Sequence, residues 1–180
     1  MIRSHDTAPA LDLSLRALSF AQALVERLYA QRLLWCLGLA SLFISAHFWS
    51  LAINWGESLP GHLYLIHKTD RTLERGGVVA FRWHGTGPYP QGITFTKIVA
   101  GIPGDTVRFQ GREVFVNDVH LASAKPFSRT GEPLQLGPAG VIPAHRFYVH
   151  APHPDSLDSR YAITGWIDSA QVLGRAQRLF

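Results

Sequence analysis

The chain has 180 residues, enough for one ordinary domain plus an anchoring segment and hardly enough for two. With 47% hydrophobic and 17% charged residues it is globular in composition rather than disordered. Its net charge of +4 is spread without a continuous basic run, which argues against nucleic acid as a partner.

Residues 11–31 place Leu11, Leu15, Leu18, Ala21, Val25 and Leu28 at mixed three- and four-residue steps, the pattern of an amphipathic helix. From Leu33 to Ile53 there is no Asp, Glu, Lys or Arg. As a helix these 21 residues would reach about 31 Å, against a hydrocarbon core of about 30 Å. A single transmembrane helix over 33–53 is therefore expected, with the lipid bilayer as a partner. Arg27 and Arg32 precede the span, Arg3 and Arg16 lie further upstream, and no Lys or Arg follows until Lys68. The positive-inside rule leaves residues 1–32 in the cytoplasm and exports 54–180. Trp49 and Trp55 suit the outer interface. The exported part carries 13 Lys and Arg against 10 Asp and Glu, a mild excess.

Beyond Asn54 the chain turns to short β-like runs: 63–67, 78–83, 94–100, 106–110, 113–116, 146–150 and 171–176. Gly76-Gly77, Gly85-Thr86-Gly87-Pro88, Pro103-Gly104-Asp105 and Gly137-Pro138-Ala139-Gly140 stand between them. Many short strands with frequent turn residues indicate a mainly β exported domain. Pro103-Gly104 favours a type II turn, with the Asp105 carboxylate meeting local N–H groups. Cys36 is the single cysteine, which excludes an intrachain disulfide and a cysteine-based metal site. His145, His150 and His153 form the closest histidine cluster and read as surface or loop residues. No metal and no organic cofactor is expected.

Strand alternation puts Ile93, Phe95, Lys97 and Val99 on one face, with Lys97 the one charge in an apolar row. Such a lysine either snorkels to an edge or sits desolvated with a lowered pKa. To act as a base near neutrality its pKa must fall from about 10.4 to roughly 7–8. Ser58 lies in Gly56-Glu57-Ser58-Leu59-Pro60-Gly61, where proline and glycine fix a turn able to present a hydroxyl. Together the two offer a nucleophile and a base on separate elements.

Asn54-Trp55-Gly56-Glu57-Ser58-Leu59-Pro60 resembles the nucleophile box of the TraF-like conjugative-transfer branch of the signal peptidase I family. Arg75 to Phe81 resembles the strand box that follows it, and Lys97 to Asp105 the base box. Ser156-Leu157-Asp158-Ser159-Arg160-Tyr161 resembles the closing box. The four stand in the family's order across most of 54–180. The resemblance implies Ser58 as nucleophile, Lys97 as general base and Ser156 as a serine that positions the lysine amine. It implies that Asp158 and Arg160 support the site by pairing with each other, and that the Ser58 N–H donates to the oxyanion. Departures are Gly56 where the family often has a hydroxyl donor, Gly77 in place of Asp, Ala151-Pro152 in place of Gly-Asp, and an insertion at Ala162-Ile163-Thr164.

The expectation is a membrane-bound serine endopeptidase of the bacterial inner membrane, single-pass, with a cytoplasmic N-terminus and a periplasmic catalytic domain. It would process a pilin or secretory precursor by cleavage, or by cyclisation where an amine of the same chain resolves the acyl-enzyme. The alternative is a non-catalytic, membrane-anchored β module in assembly of a pilus or secretion complex.

Overall fold

A computed structural model describes residues 8–54, 56 and 58–180, with side chains from Leu15 onward. Arg3, Leu11, Trp55 and Glu57, on which the sequence reading drew, fall outside the described backbone or side chains. The chain divides into two units at Ala46/His47.

The first unit is helical. Ala8–Ala30 (α1) realises the amphipathic pattern, and Arg32–Phe48 (α2) follows after a break at Gln31. Leu15–Ala30 and Arg32–Phe48 are bent by 68° to each other. The expected helix over 33–53 stops short. Residues Trp49–Ile53 form a strand (β1) that pairs with Leu63–His67 (β2), from Trp49↔His67 to Ile53↔Leu63. An unbroken apolar run carries no periodicity, so helix and strand read alike within it; the ladder to β2 decides the matter. No single helix among the described residues is long and apolar enough to cross a membrane, although the bent pair taken together meets that requirement. None of α2 is buried, and Leu34, Trp35, Leu42, Phe43 and Ile44 all stand exposed.

The second unit is antiparallel β. Its remaining strands are Val78–Arg82 (β3), Thr94–Gly101 (β4), Thr106–Gln110 (β5), Glu113–Val116 (β6), Val119–Ser123 (β7), Gly140–Val141 (β8), Arg146–His150 (β9), Ile167–Asp168 (β10) and Val172–Arg178 (β11). All seven strands read from the sequence are present, four with the expected ends and three with ends moved by one or two residues. Four were not read: β1, β7, β8 and β10. β8 and β10 have two residues each, too short for any alternation to show.

One sheet has seven strands in the order β1-β2-β11-β3-β4-β9-β10; the other has four, β7-β6-β5-β8. Strand β3 lies deep in the larger sheet, and Val79, Ala80 and Phe81 are all fully buried, so both its faces are covered. Ala80 packs with Tyr64, Ile66 and Ala176 on one side, while Val79 and Phe81 pack with Val99, Val149 and Val172 on the other. The hairpin between β6 and β7 turns on Asn117 and Asp118, both at positive φ (49° and 63°), as a two-residue type I′ turn requires.

The turn at Pro103-Gly104 is of type II: Gly104 has φ +90° and Asp105 N–H donates to Ile102 O at 3.0 Å. The buried Asp105 carboxylate accepts from Ile102 N (2.8 Å), Arg75 Nη2 (2.6 Å) and Asn117 Nδ2 (2.7 Å). Burial pushes its pKa up, but these donors outweigh it and hold the carboxyl below its ordinary value. It thereby ties the approach to β3, the β4–β5 turn and the β6–β7 turn together.

Candidate active site

Lys97 lies in β4, opposite Val79 of β3, and its side chain points into the face that also buries Val99. It is 5% exposed. Of the two outcomes the sequence left open, the structure takes the desolvated one. Burial lowers the Lys97 pKa to about 8; the nearby Asp158 pulls it up and Arg160 pushes it down, both less strongly. The amine lies 5.4 Å from the centre of the Phe95 ring and donates to Ser156 Oγ at 2.7 Å.

Ser156 reaches Lys97 because its loop is fastened to the neighbouring strand. β9 pairs with β4 through Ile98↔His150 and Val99↔Val149. Val149 then exchanges two hydrogen bonds with Ser159: its N–H donates to Ser159 Oγ (2.9 Å) and its carbonyl accepts from Ser159 N–H (3.0 Å). Gly137 passes so close to this segment that a Cβ there would lie 2.2 Å from Ser159 O; bare backbone is needed at that contact.

Asp158 and Arg160 form a buried pair beneath Ser156, 0% and 1% exposed. Arg160 Nε donates to Asp158 Oδ1 (2.8 Å) and Nη2 to Oδ2 (3.0 Å), a bidentate arrangement. The same guanidinium donates to the carbonyls of Ser123 (3.2 Å), His153 (3.1 Å) and Ser156 (3.2 Å). Asp158 also accepts from Ala151 N–H at 2.9 Å and Arg160 N–H at 3.1 Å. Desolvation pushes the Asp158 pKa up, yet contacts with His150 and Arg160 outweigh it and hold it below the usual carboxylate range.

His150 corrects the sequence reading. It is not a surface residue but 8% exposed, its Nδ1 3.3 Å from Asp158 Oδ2 in an orientation too poor for a hydrogen bond. Its shared face with Tyr148, fully buried two residues earlier in β9, was the available signal.

Ser58 is half-buried in the turn after β1. Its Oγ donates to Asn54 Oδ1 at 3.4 Å and makes no hydrogen bond to Lys97. The structure thus joins Lys97, Ser156, Asp158 and Arg160 directly and leaves Ser58 outside that network. The turn itself is well fixed. Asn54 Nδ2 donates to the carbonyls of Leu59 (2.9 Å) and Gly61 (3.1 Å), the buried Leu59 anchors it, and Tyr64 Oη donates to Pro60 O. Gly61, at φ +90°, packs so tightly against Arg178 and Phe180 O that a Cβ would collide with both. Asn54 is an organising residue to which the sequence reading gave no role.

A desolvated lysine hydrogen-bonded to a serine, on an antiparallel scaffold that also fixes a serine turn, defines a class of site suited to acyl transfer. Residues 26–180 match the family model described as signal peptidase, peptidase S26, and the chain belongs to that family. Its members are serine endopeptidases that act on secretory precursor polypeptides. Among solved structures, a signal peptidase I from Enterococcus faecalis is 20% identical, with a TM-score of 0.40 over 59% of this chain and 97% of that one. Comparison with curated proteins yields no match.

Proposed function

We propose that this chain is a membrane-bound serine endopeptidase in which Ser58 is the nucleophile and Lys97 its general base. The observation that carries the reading is the buried Lys97 amine, with its pKa lowered to about 8 and its Nζ held 2.7 Å from Ser156 Oγ. A neutral amine takes the Ser58 proton as the oxygen attacks the scissile carbonyl, then returns it to the leaving amine. Ser156 orients the amine, and the Asp158–Arg160 pair fixes Ser156. The Ser58 N–H supplies one donor to the oxyanion. Asn54 now holds the Ser58 hydroxyl, so attack requires its rotation toward Lys97; catalytic hydrogen bonds commonly tighten only with substrate in place. Water resolves the acyl-enzyme to hydrolysis, and an amine of the same substrate resolves it to a ring.

The boxes around Ser58, Lys97 and Ser156 support the TraF-like branch, with a conjugative pilin precursor as substrate. The anchor is then the bent pair α1–α2 rather than one straight span, because the 17 residues of α2 reach only about 26 Å. Arg16, Arg27 and Arg32 all precede the apolar residues of α2 and no Lys or Arg follows until Lys68, which supports a cytoplasmic N-terminus, with the β unit on the periplasmic side of the bacterial inner membrane.

The test is co-expression of the full chain with a candidate pilin precursor, comparing wild type with Ser58→Ala and Lys97→Ala by intact mass. Processing by wild type alone is the expected result; one pilin mass across all three would sink the reading. A product lighter by one further water identifies cyclisation.

Asn54→Ala supplies a finer prediction. It removes two hydrogen bonds that pin the turn, at roughly 1–3 kcal/mol for the carbonyls left without donors. A fall in kcat/KM of about tenfold is expected, with a modest loss of Tm, since a misplaced nucleophile costs rate steeply. Unchanged kcat/KM would show that Asn54 does not position Ser58.

A further inference from the structure

Ser156 also lines a cavity of about 260 Å³ that the Ser58–Lys97 chemistry does not use. Its walls are mainly apolar: Tyr89, Phe127, Leu134, Leu157 and Tyr161 face it. Two of these aromatics are open to solvent, Tyr89 at 47% and Phe127 at 57%. Rings left uncovered in a preformed concavity are the usual mark of a binding surface.

Both rings are held in place. Phe127 begins a tight loop closed by Phe127↔Pro133 pairing, by Leu134 N–H to Pro126 O (2.8 Å), and by Ser128 Oγ, which accepts from Thr130 N (3.2 Å) and Glu132 N (3.1 Å). Tyr89 packs edge-on against Phe95 at 5.3 Å, the ring that also lies against the Lys97 amine. Two chains of contact therefore link the cavity to the lysine, one through Ser156 and one through Tyr89 and Phe95. A second cavity of about 430 Å³ shares Leu134, Leu157 and Tyr161 with it, so an extended chain has room to continue. At the rim Lys125 is ion-paired with Asp155, which leaves Arg129, exposed, as the excess positive charge.

The geometry points to a substrate subsite: this cavity takes a bulky apolar side chain of the polypeptide being cut, a few residues from the scissile bond, with an acidic neighbour facing Arg129. It rests on the protease reading above. Burying such a side chain against Phe127 and Tyr89 stabilises the bound substrate in proportion to the apolar area covered.

The test uses the full chain in detergent and a positional-scanning library of fluorogenic decapeptides, with cuts mapped by mass spectrometry. One position near the cut is expected to favour Leu or Phe over Gly by about tenfold in kcat/KM. Phe127→Ala should reduce that preference to within twofold by lowering kcat/KM on the Leu and Phe peptides, and Phe127→Tyr should keep it. Arg129→Glu should reverse an acidic preference beside that position. A wild type that cuts the library with no bulky apolar preference, or a Phe127→Ala variant that retains it, overturns the subsite while the protease reading stands. No Ser58-dependent cleavage of any peptide overturns both.

Discussion

Lys97→Met is expected to abolish processing and to make the protein more stable. Loss of a positioned general base costs about 10²–10⁴ in rate. The gain in stability follows from the same burial. A folded-state pKa near 8 against an ordinary 10.5 means that the fold disfavours the protonated amine by about 3 kcal/mol. Methionine fills similar space without that penalty. It also leaves Ser156 Oγ without its donor, at about 1 kcal/mol, so a net gain of about 2 kcal/mol remains at pH 7. The sign depends on pH in a definite way. Between about pH 8 and 10.5 the unfolded chain binds more protons at this lysine than the folded one, so wild-type stability rises with pH there. Below about pH 8 the penalty is complete. Thermal unfolding of both proteins at pH 7 and pH 10.5 should thus show a Tm advantage of several degrees for Lys97→Met at pH 7, disappearing at the higher pH. The wild-type pH–rate profile is the companion measurement: kcat/KM should fall tenfold per pH unit below about 8 and level off above it. A flat profile between pH 6 and 9 would remove Lys97 from the role of base.

That lysine was legible in the sequence because a strand has period two and Thr94–Val99 carries one charge in an otherwise apolar row. Alternation placed the side chain on the buried face; it could not say whether the amine escaped to the edge. What closed off escape was Ser156, 59 residues away along the chain, and the buried pair behind it. Contacts of that separation leave no periodic trace, so Ser156, Asp158 and Arg160 came from motif resemblance rather than from physical pattern. The end of the apolar helix was misplaced for the opposite reason. Leu33–Ile53 is apolar throughout, and only pairing with β2 reveals that its last five residues are strand. Asn54 was missed because a single amide at a strand end looks like any turn residue until its two carbonyl partners are known. The serine turn remains the part of the site for which sequence order gave most and contact geometry gives least.

Arg160→Met should be the most damaging single change to the fold. The guanidinium is 1% exposed and holds Asp158 bidentately while donating to the carbonyls of Ser123, Ala151, His153 and Ser156. Removing it strands a carboxylate that is 0% exposed, and breaking a buried pair in this way costs about 3–5 kcal/mol. Urea denaturation of the full chain should show that loss; a change under about 1 kcal/mol would mean the pair is not structural. The double variant Asp158→Asn with Arg160→Met should recover part of it, because no charge is then left unpaired. Activity carries a second signature. Arg160 pushes the Lys97 pKa down and Asp158 pulls it up, so losing the arginine raises it and shifts the pH–rate profile of whatever enzyme remains folded to higher pH. Asp158 itself, with its folded pKa lowered, contributes stability that is present above about pH 4 and lost as pH falls through that lowered value. Both effects act on the acid side: protonation silences Lys97 as pH falls below about 8, and stronger acid then loosens the Ser156 loop, so the site works best at mildly alkaline pH.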